Sequence, residues 1–280
     1  MPTTAEAFPP DALSAAALPF LKWAGGKRWL APSLAPLVAA RLTRTYIEPF
    51  GGGAALLLHL APVRAVLGDV NGELIETFET VRTTPEAVVR AVWRFSNTSE
   101  CFYRVREVAP RTAVGRAARF IYLNRTAWGG IYRLNGEGAF NVPFGSTGRG
   151  ICRKHLILNA ADALAGTRFV VGDFSKTIDV AGLGDVVYAD PPYVGRGPSR
   201  EGSFARYHFP PFTWPDQERL AQCVHAAVDR GATVFVTARG DVGVEELYPG
   251  WEATRLIRQQ RVSRRLDRRQ PYTETLLSSG

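Results

Sequence analysis

Short apolar runs of strand length recur along the chain at 45–47, 64–67, 168–171, 185–189 and 233–236. Helical periodicity separates most of them, at 74–80, 85–95, 114–123, 153–164 and 215–229. Thr213 and Asp216, set just before the last of these, read as a capped helix start. Strands alternating with helices predict an α/β fold around a parallel sheet. Each of the first four strands runs into a glycine or acidic motif. Ligands bind beyond the carboxyl ends of such strands, so motifs distant in sequence should gather along one edge and form the active site.

The spacing breaks once, between the second and third strands. An insert there, about 83–155, opens with charged helical segments and closes in a stretch of Gly, Asn, Arg and aromatic residues at 124–150. That stretch holds no apolar run long enough for a central strand, and 135–140, with Gly136 and Gly138, reads as a hairpin tip. Arg125, Arg133 and Arg149 are interleaved with Trp128 and Tyr132, a mixture suited to groove insertion because arginine reads guanine bidentately. The expected organisation is a loose tail over 1–18, a main domain from 19–82 and 156–280, and the insert at 83–155.

Composition narrows the partners. A formal charge of +8 and a pI near 9.7 favour a polyanion. Between 255 and 270 stand seven arginines (255, 258, 261, 264, 265, 268 and 269) against Asp267, either a solvated polar hairpin or a phosphate-binding surface. The three cysteines, Cys101, Cys152 and Cys223, have no C-x-x-C spacing and the four histidines no metal-ligand spacing, so neither disulfides nor a metal is expected. The first residues lack a basic n-region and no apolar run reaches membrane-spanning length, so the expected setting is the reducing cytoplasm.

The candidate chemistry lies at the strand ends. Asp190, Pro191, Pro192 and Tyr193 follow the run VVYA, so a carboxylate, rigid carbonyls and an aromatic face emerge together. An exocyclic amine conjugated into a purine is a poor nucleophile. It improves when acceptors on both hydrogens, such as Asp190 and the Pro191 carbonyl, draw its lone pair out of the ring, while Tyr193 stacks on the base. Glu48 to Gly53 form a glycine loop after the first strand, open to close backbone approach. The dinucleotide fingerprint G-x-G-x-x-G fails there in every register. Gly25, Gly26 and Lys27 make no phosphate loop either, because Leu21 and Arg28 stand at its first and last places. Asp69, after the second strand, stands where an acid binds the ribose hydroxyls of an adenosine-containing cofactor.

With DPPY at 190–193, FLKWAGGK at 20–27, YIEPFGGGA at 46–54, GDVN at 68–71, NRTAWGGIYRLNGEGAFNVPFG at 124–145, GDF at 172–174 and SFARYHFPPFTWPDQ at 203–217, the chain resembles the Dam-like, alpha-group DNA adenine-N6 methyltransferases. The resemblance implies a Rossmann-like methyltransferase sheet with helices on both faces and an inserted, mainly helical target recognition domain carrying a hairpin. It implies S-adenosylmethionine as cofactor, held by Trp23, Lys27, Phe50, Gly52, Asp69, Asp173, Phe174 and Asp190, with Asp173 accepting from the cofactor's adenine amine. It further implies catalysis by Asp190, Pro191, Pro192 and Tyr193, and closure of the site by Phe204 and Tyr207. Double-stranded DNA is then the partner of a monomer, read through Arg125, Trp128, Arg133, Asn135 and Arg149, with GATC as the target.

Two positions depart from the family pattern. Ala54 replaces the last glycine of F-x-G-x-G, which costs about 1 kcal/mol or more if the position needs positive φ, unless Gly53 supplies the turn instead. Ala238 stands near a position where relatives often carry Asn. The alternatives are a cytosine-N4 methyltransferase, which more often has Ser in place of Asp190, an RNA or protein methyltransferase, and a nonenzymatic DNA-binding protein on the same scaffold.

Overall fold

A computed structural model of the chain describes residues 16–136, 138–145, 151–195, 211–240, 243–258 and 272–280. The described strands are β1 (Tyr46–Glu48), β2 (Ala65–Asp69), β3 (Thr167–Val171), β4 (Val186–Ala189), β5 (Thr233–Arg239), β6 (Glu252–Arg258) and β7 (Tyr272–Ser278), in the order β3-β2-β1-β4-β5-β7-β6. The first five pair in parallel, and β7 runs antiparallel to both β5 and β6. All five expected strands form, within about two or three residues at each end. The antiparallel pair that extends the sheet was not expected.

Alternate residues feed two apolar layers. Tyr46, Leu67, Val186, Tyr188 and Phe235 point to one face, with α1 (Ala31–Ala39), α2 (Ala55–Leu60), α3 (Gly72–Thr83), α4 (Pro85–Val92), α6 (Ala113–Thr126) and α7 (Lys154–Ala163). Ile47, Val66, Val187, Val234 and Val236 point to the other, against α8 (Phe174–Ile178) and α9 (Trp214–Asp229). Helices thus cover both faces of a mixed, mostly parallel sheet. α9 starts at the expected capping box: Asp216 accepts from the Thr213 amide at 2.9 Å, and the Thr213 hydroxyl lies 2.7 Å from the same carboxylate.

The insert is built on the first layer. Val88, Val92, Phe120 and Ile121 share a continuous core with Leu34 and Phe78. A smaller cluster gathers Phe102 and Val105 of α5 (Ser99–Glu107) with Tyr122, Phe140 and Val142. At the other end Ala17 is buried in the main core, so packing begins inside the segment expected as a tail. Among the described residues no helix is long and apolar enough to cross a membrane, and no group of acids, Cys and His could hold a metal ion.

Candidate active site

The strand order reverses between β1 and β4, and in open α/β sheets ligands bind beyond the carboxyl ends of the strands at such a point. The glycine loop leaves β1 and Asp190 leaves β4. The loop is drawn onto β2 by the Gly51 amide, 2.7 Å from the Gly68 carbonyl, and by the Gly52 amide, 3.0 Å from Asp69 Oδ2. Gly52 has φ +46°, and a Cβ there would lie 2.9 Å from the Trp23 ring, so both conformation and space require glycine. Trp23 stacks in turn on Tyr132 of the insert, with centroids 6.1 Å apart.

Ala54 has φ 49° and ψ 39°. The left-handed turn therefore falls on alanine itself, and Gly53, which keeps negative φ, does not relieve it in the way the sequence suggests. The strain is held in place by burial, since Ala54 is 1% exposed within the main core.

Asp69 is not the cap of the following helix. Asn71 is, accepting from the Leu74 amide at 3.0 Å, while Asp69 Oδ1 accepts from the Asn71 amide at 2.9 Å. Asp69 thus ties the glycine loop to the start of α3. Beside it, Phe50 packs on Phe174 and Phe212, with centroids 5.4 and 5.8 Å away. Asp173 is committed to a forked pair with Arg219 at 2.7 and 2.8 Å, whose hydrogen bonds hold its carboxyl well below the usual range. The Arg219 guanidinium lies over the Phe174 ring at 4.3 Å.

At the end of β4 the Asp190 carboxylate collects several donors. Thr237 Oγ1 lies 2.6 Å from Oδ1, and Lys27 Nζ lies 2.8 Å from Oδ1 and 2.9 Å from Oδ2. The Tyr193 hydroxyl is 3.2 Å from Asp190 Oδ1 and 3.1 Å from Glu274 Oε2, able to donate to either. Burial pushes the Tyr193 phenol up, and the Asp190 charge adds to it, so the hydroxyl stays protonated. Lys27, expected on the cofactor side, is the buried counter-ion of Asp190, with Nζ 5.0 Å from the Tyr193 ring centre. Thr237 and Glu274 were missed by the sequence reading. Ala238, beside Thr237, is buried in β5.

Beneath the loop, Glu48 is buried at the end of β1 and accepts from the Tyr46 hydroxyl at 2.9 Å. Burial pushes its carboxyl up to about 8.

The insert meets this edge through its last segment. Asn124, fully buried, accepts from the Lys22 amide at 2.8 Å and donates to the Lys22 carbonyl at 2.6 Å, and Lys22 Nζ reaches the Arg125 carbonyl. Tyr132 is fastened to Glu73 of α3 by its hydroxyl. Arg125 donates to the Ile151 carbonyl at 2.8 Å, which gives it a structural task. Trp128 is 63% exposed, and the half-buried Arg133 is oriented by Asn141 Oδ1 at 2.7 Å. The Asn135 side chain accepts from the Ala139 amide at 2.8 Å, closing the expected hairpin turn. Arg149, Phe204, Tyr207 and the arginines from 261 to 269 lie outside the described residues.

A family model described as D12 class N6 adenine-specific DNA methyltransferase matches residues 23–263. A Type II methyltransferase, M1.LlaDCHI of Lactococcus lactis subsp. cremoris, is 34% identical over 253 residues, covering 85% of this chain and 88% of that protein. The DNA adenine methylase of Vibrio cholerae O395 is 30% identical over 238 residues, 82% of this chain and 84% of the relative. The Escherichia coli K12 protein of the same name is 29% identical over 235 residues, 82% and 83% of the two chains. The family match spans the glycine loop, the insert and the DPPY corner, so this chain belongs to the D12 class of N6 adenine-specific DNA methyltransferases.

Proposed function

We propose that the chain transfers a methyl group from S-adenosylmethionine to N6 of an adenine flipped out of duplex DNA, with Asp190 and the Pro191 carbonyl as acceptors for the amine. The observation that carries this reading is the place of Asp190, at the strand-order reversal, where it leaves the strand next to the one that runs into the glycine loop. Two acceptors on one amine localise its lone pair for in-line attack, and no covalent enzyme intermediate is needed. S-Adenosylmethionine supplies an electrophilic methyl group on a sulfonium.

The residues beside Asp190 suit an adenosine-containing donor. Gly52 offers backbone without a side chain, Asp69 offers a carboxylate to the ribose, and Phe50 with Phe174 offers an apolar wall for the base. Trp23 backs the loop. Asp173 is held by Arg219, so it would meet the adenine amine only through an oxygen shared with that pair.

Flipping costs a few kcal/mol, and stacking on Tyr193, worth about 1 to 3 kcal/mol per base, offsets much of it. The segment 83–155 serves as the target recognition part, with Trp128, Arg133 and Asn135 at its DNA-facing end, and 19–82 with 156–280 as the catalytic part. Arg125 supports that end from behind. We infer GATC as the target, because 124–145 resembles the Dam enzymes, and a monomer acting on duplex DNA in the cytoplasm.

Tritium transfer from labelled cofactor to duplex DNA, RNA and peptide, followed by mapping of methylated bases, tests the reading. Label on adenine N6 at one short motif is expected. Label on cytosine, or on RNA or peptide in preference to DNA, overturns it.

A further inference from the structure

In this structure Asp190 is already engaged before any substrate amine reaches it. An ionised carboxylate has about four lone-pair sites. Thr237, Tyr193 and Lys27 together take up most of them, and the Lys27 ammonium contacts both oxygens. Oδ1 receives Thr237, Tyr193 and Lys27, while Oδ2 receives Lys27, a stronger donor than an aromatic amine, so an incoming N6 amine shares Oδ2 with the ammonium unless Lys27 is drawn away. Lys27 is 4% exposed, and a buried cation stripped of its partner is strongly unfavourable.

A second carboxylate stands within reach. Glu274, whose side chain is 3% exposed, lies 3.5 Å from Lys27 Nζ and 3.1 Å from the Tyr193 hydroxyl. It touches two of the three donors that hold Asp190. Its position follows from the antiparallel strand: β7 runs against β5, with Glu274 opposite Arg239, so a residue near the start of β7 arrives where the parallel strands end.

We propose that Glu274 is a positioning residue for methyl transfer, drawing the Lys27 ammonium and the Tyr193 hydroxyl off Asp190 as the target amine docks. The carboxylate then passes from one donor to another while Lys27 keeps a buried partner. Gly25, whose carbonyl lies 2.9 Å from Lys27 Nζ, steadies the ammonium through the exchange. This inference rests on the adenine-N6 reading above.

The test uses the full chain and a duplex carrying its mapped target. Wild-type label on adenine establishes the underlying reading, and its absence removes reading and inference together. Given that label, Glu274→Gln should lower the single-turnover constant by about tenfold at saturating DNA and cofactor, with cofactor affinity within about twofold of wild type. Glu274→Asp, which keeps the charge, should recover part of the loss.

A readout independent of chemistry is the preference for adenine over purine, which lacks the amine, at the target position of a bound duplex. That preference should shrink in Glu274→Gln. In a Lys27→Met background, where no ammonium has to move, Glu274→Gln should leave it unchanged. A wild-type rate in Glu274→Gln, or equal losses of preference in both backgrounds, overturns the proposal and leaves Glu274 as a structural prop.

Discussion

The DPPY corner and the end of the insert proposed to read DNA are built in opposite ways. At the corner the side chains of Lys27, Asp190, Tyr193, Thr237 and Glu274 hold one another, and the most exposed part of the Lys27–Asp190–Glu274 network is the Asp190 carboxylate, at 20%. At the reading end Trp128 and Leu134 face solvent and Arg133 is oriented by a single asparagine. Chemistry is served by groups gathered before the substrate arrives, so that on docking only short exchanges of contact between Asp190 and Glu274 remain. Recognition leaves surface for the partner to complete. The two regions are nevertheless stitched together, by Asn124 on the Lys22 backbone and by Tyr132 on Trp23.

The largest expected effect comes from breaking the fixed side. Asp190→Ala should lower single-turnover methyl transfer by about 10²-fold or more, as removal of a preorganised group does elsewhere. Folding should survive, because Lys27 still has Glu274 for a partner. A near-wild-type rate would sink the acceptor role, and a collapsed thermal transition would show that Asp190 is structural.

The fixed side also has a pH signature. Glu48 is held neutral by burial, with its folded pKa raised from 4.5 to about 8. The folded state therefore keeps a proton that the unfolded chain releases, so this stability is full below the unfolded value and is lost as pH rises through the folded one. Wild-type unfolding free energy should fall by roughly 2 kcal/mol or more across that interval, because each tenfold difference in proton affinity between the two states is worth about 1.4 kcal/mol. Glu48→Gln, which cannot ionise, should flatten the decline. Equal slopes for both proteins in urea unfolding at several pH values would place the dependence elsewhere.

The open side should respond in specificity. Arg133→Ala is expected to cost about 1 to 3 kcal/mol of discrimination at one base beside the methylated adenine, visible as a relaxed motif in methylation mapping. Arg255, exposed on β6, should behave differently if it meets phosphates: its replacement weakens binding to all sequences and lowers the salt slope by roughly 0.9. An unrelaxed motif in Arg133→Ala would move the reader to another residue.

What was legible in the sequence divides along the same line. The parallel strands could be read because each ends in a motif, and Asp190 and Asp69 stand at those ends. The β6–β7 pair escaped because Glu252–Arg258 is polar on an exposed edge, and the arginine-rich stretch that follows hides any alternation. Glu274 escaped with it. The signal was a lone acid two residues before Leu276, at inward spacing, which one sequence cannot distinguish from a surface glutamate. Lys27 was legible as a site residue but not as the partner of Asp190, since 163 residues separate them. Ala54 was legible only as a condition: whether alanine is strained there depends on a φ angle the sequence does not state.

That angle gives the smallest and most discriminating prediction. Ala54 and Ala61 flank α2 in the same left-handed region, with φ 49° and 43°. Such a conformation costs an alanine roughly 1 to 2 kcal/mol, which glycine avoids at the expense of some chain entropy. Burial separates the two positions. Ala61 is exposed, so Ala61→Gly loses no packing and should stabilise the protein by about 1 kcal/mol, raising Tm by about 2 to 4 °C. Ala54 is buried against the main core, and removing its methyl forfeits about 0.8 kcal/mol of burial together with the surrounding contacts. Ala54→Gly should therefore change stability by less than about 0.5 kcal/mol, although it restores the glycine of the family pattern. Thermal unfolding of the two single variants decides it: equal gains would mean that the Ala54 methyl contributes nothing to offset its strain.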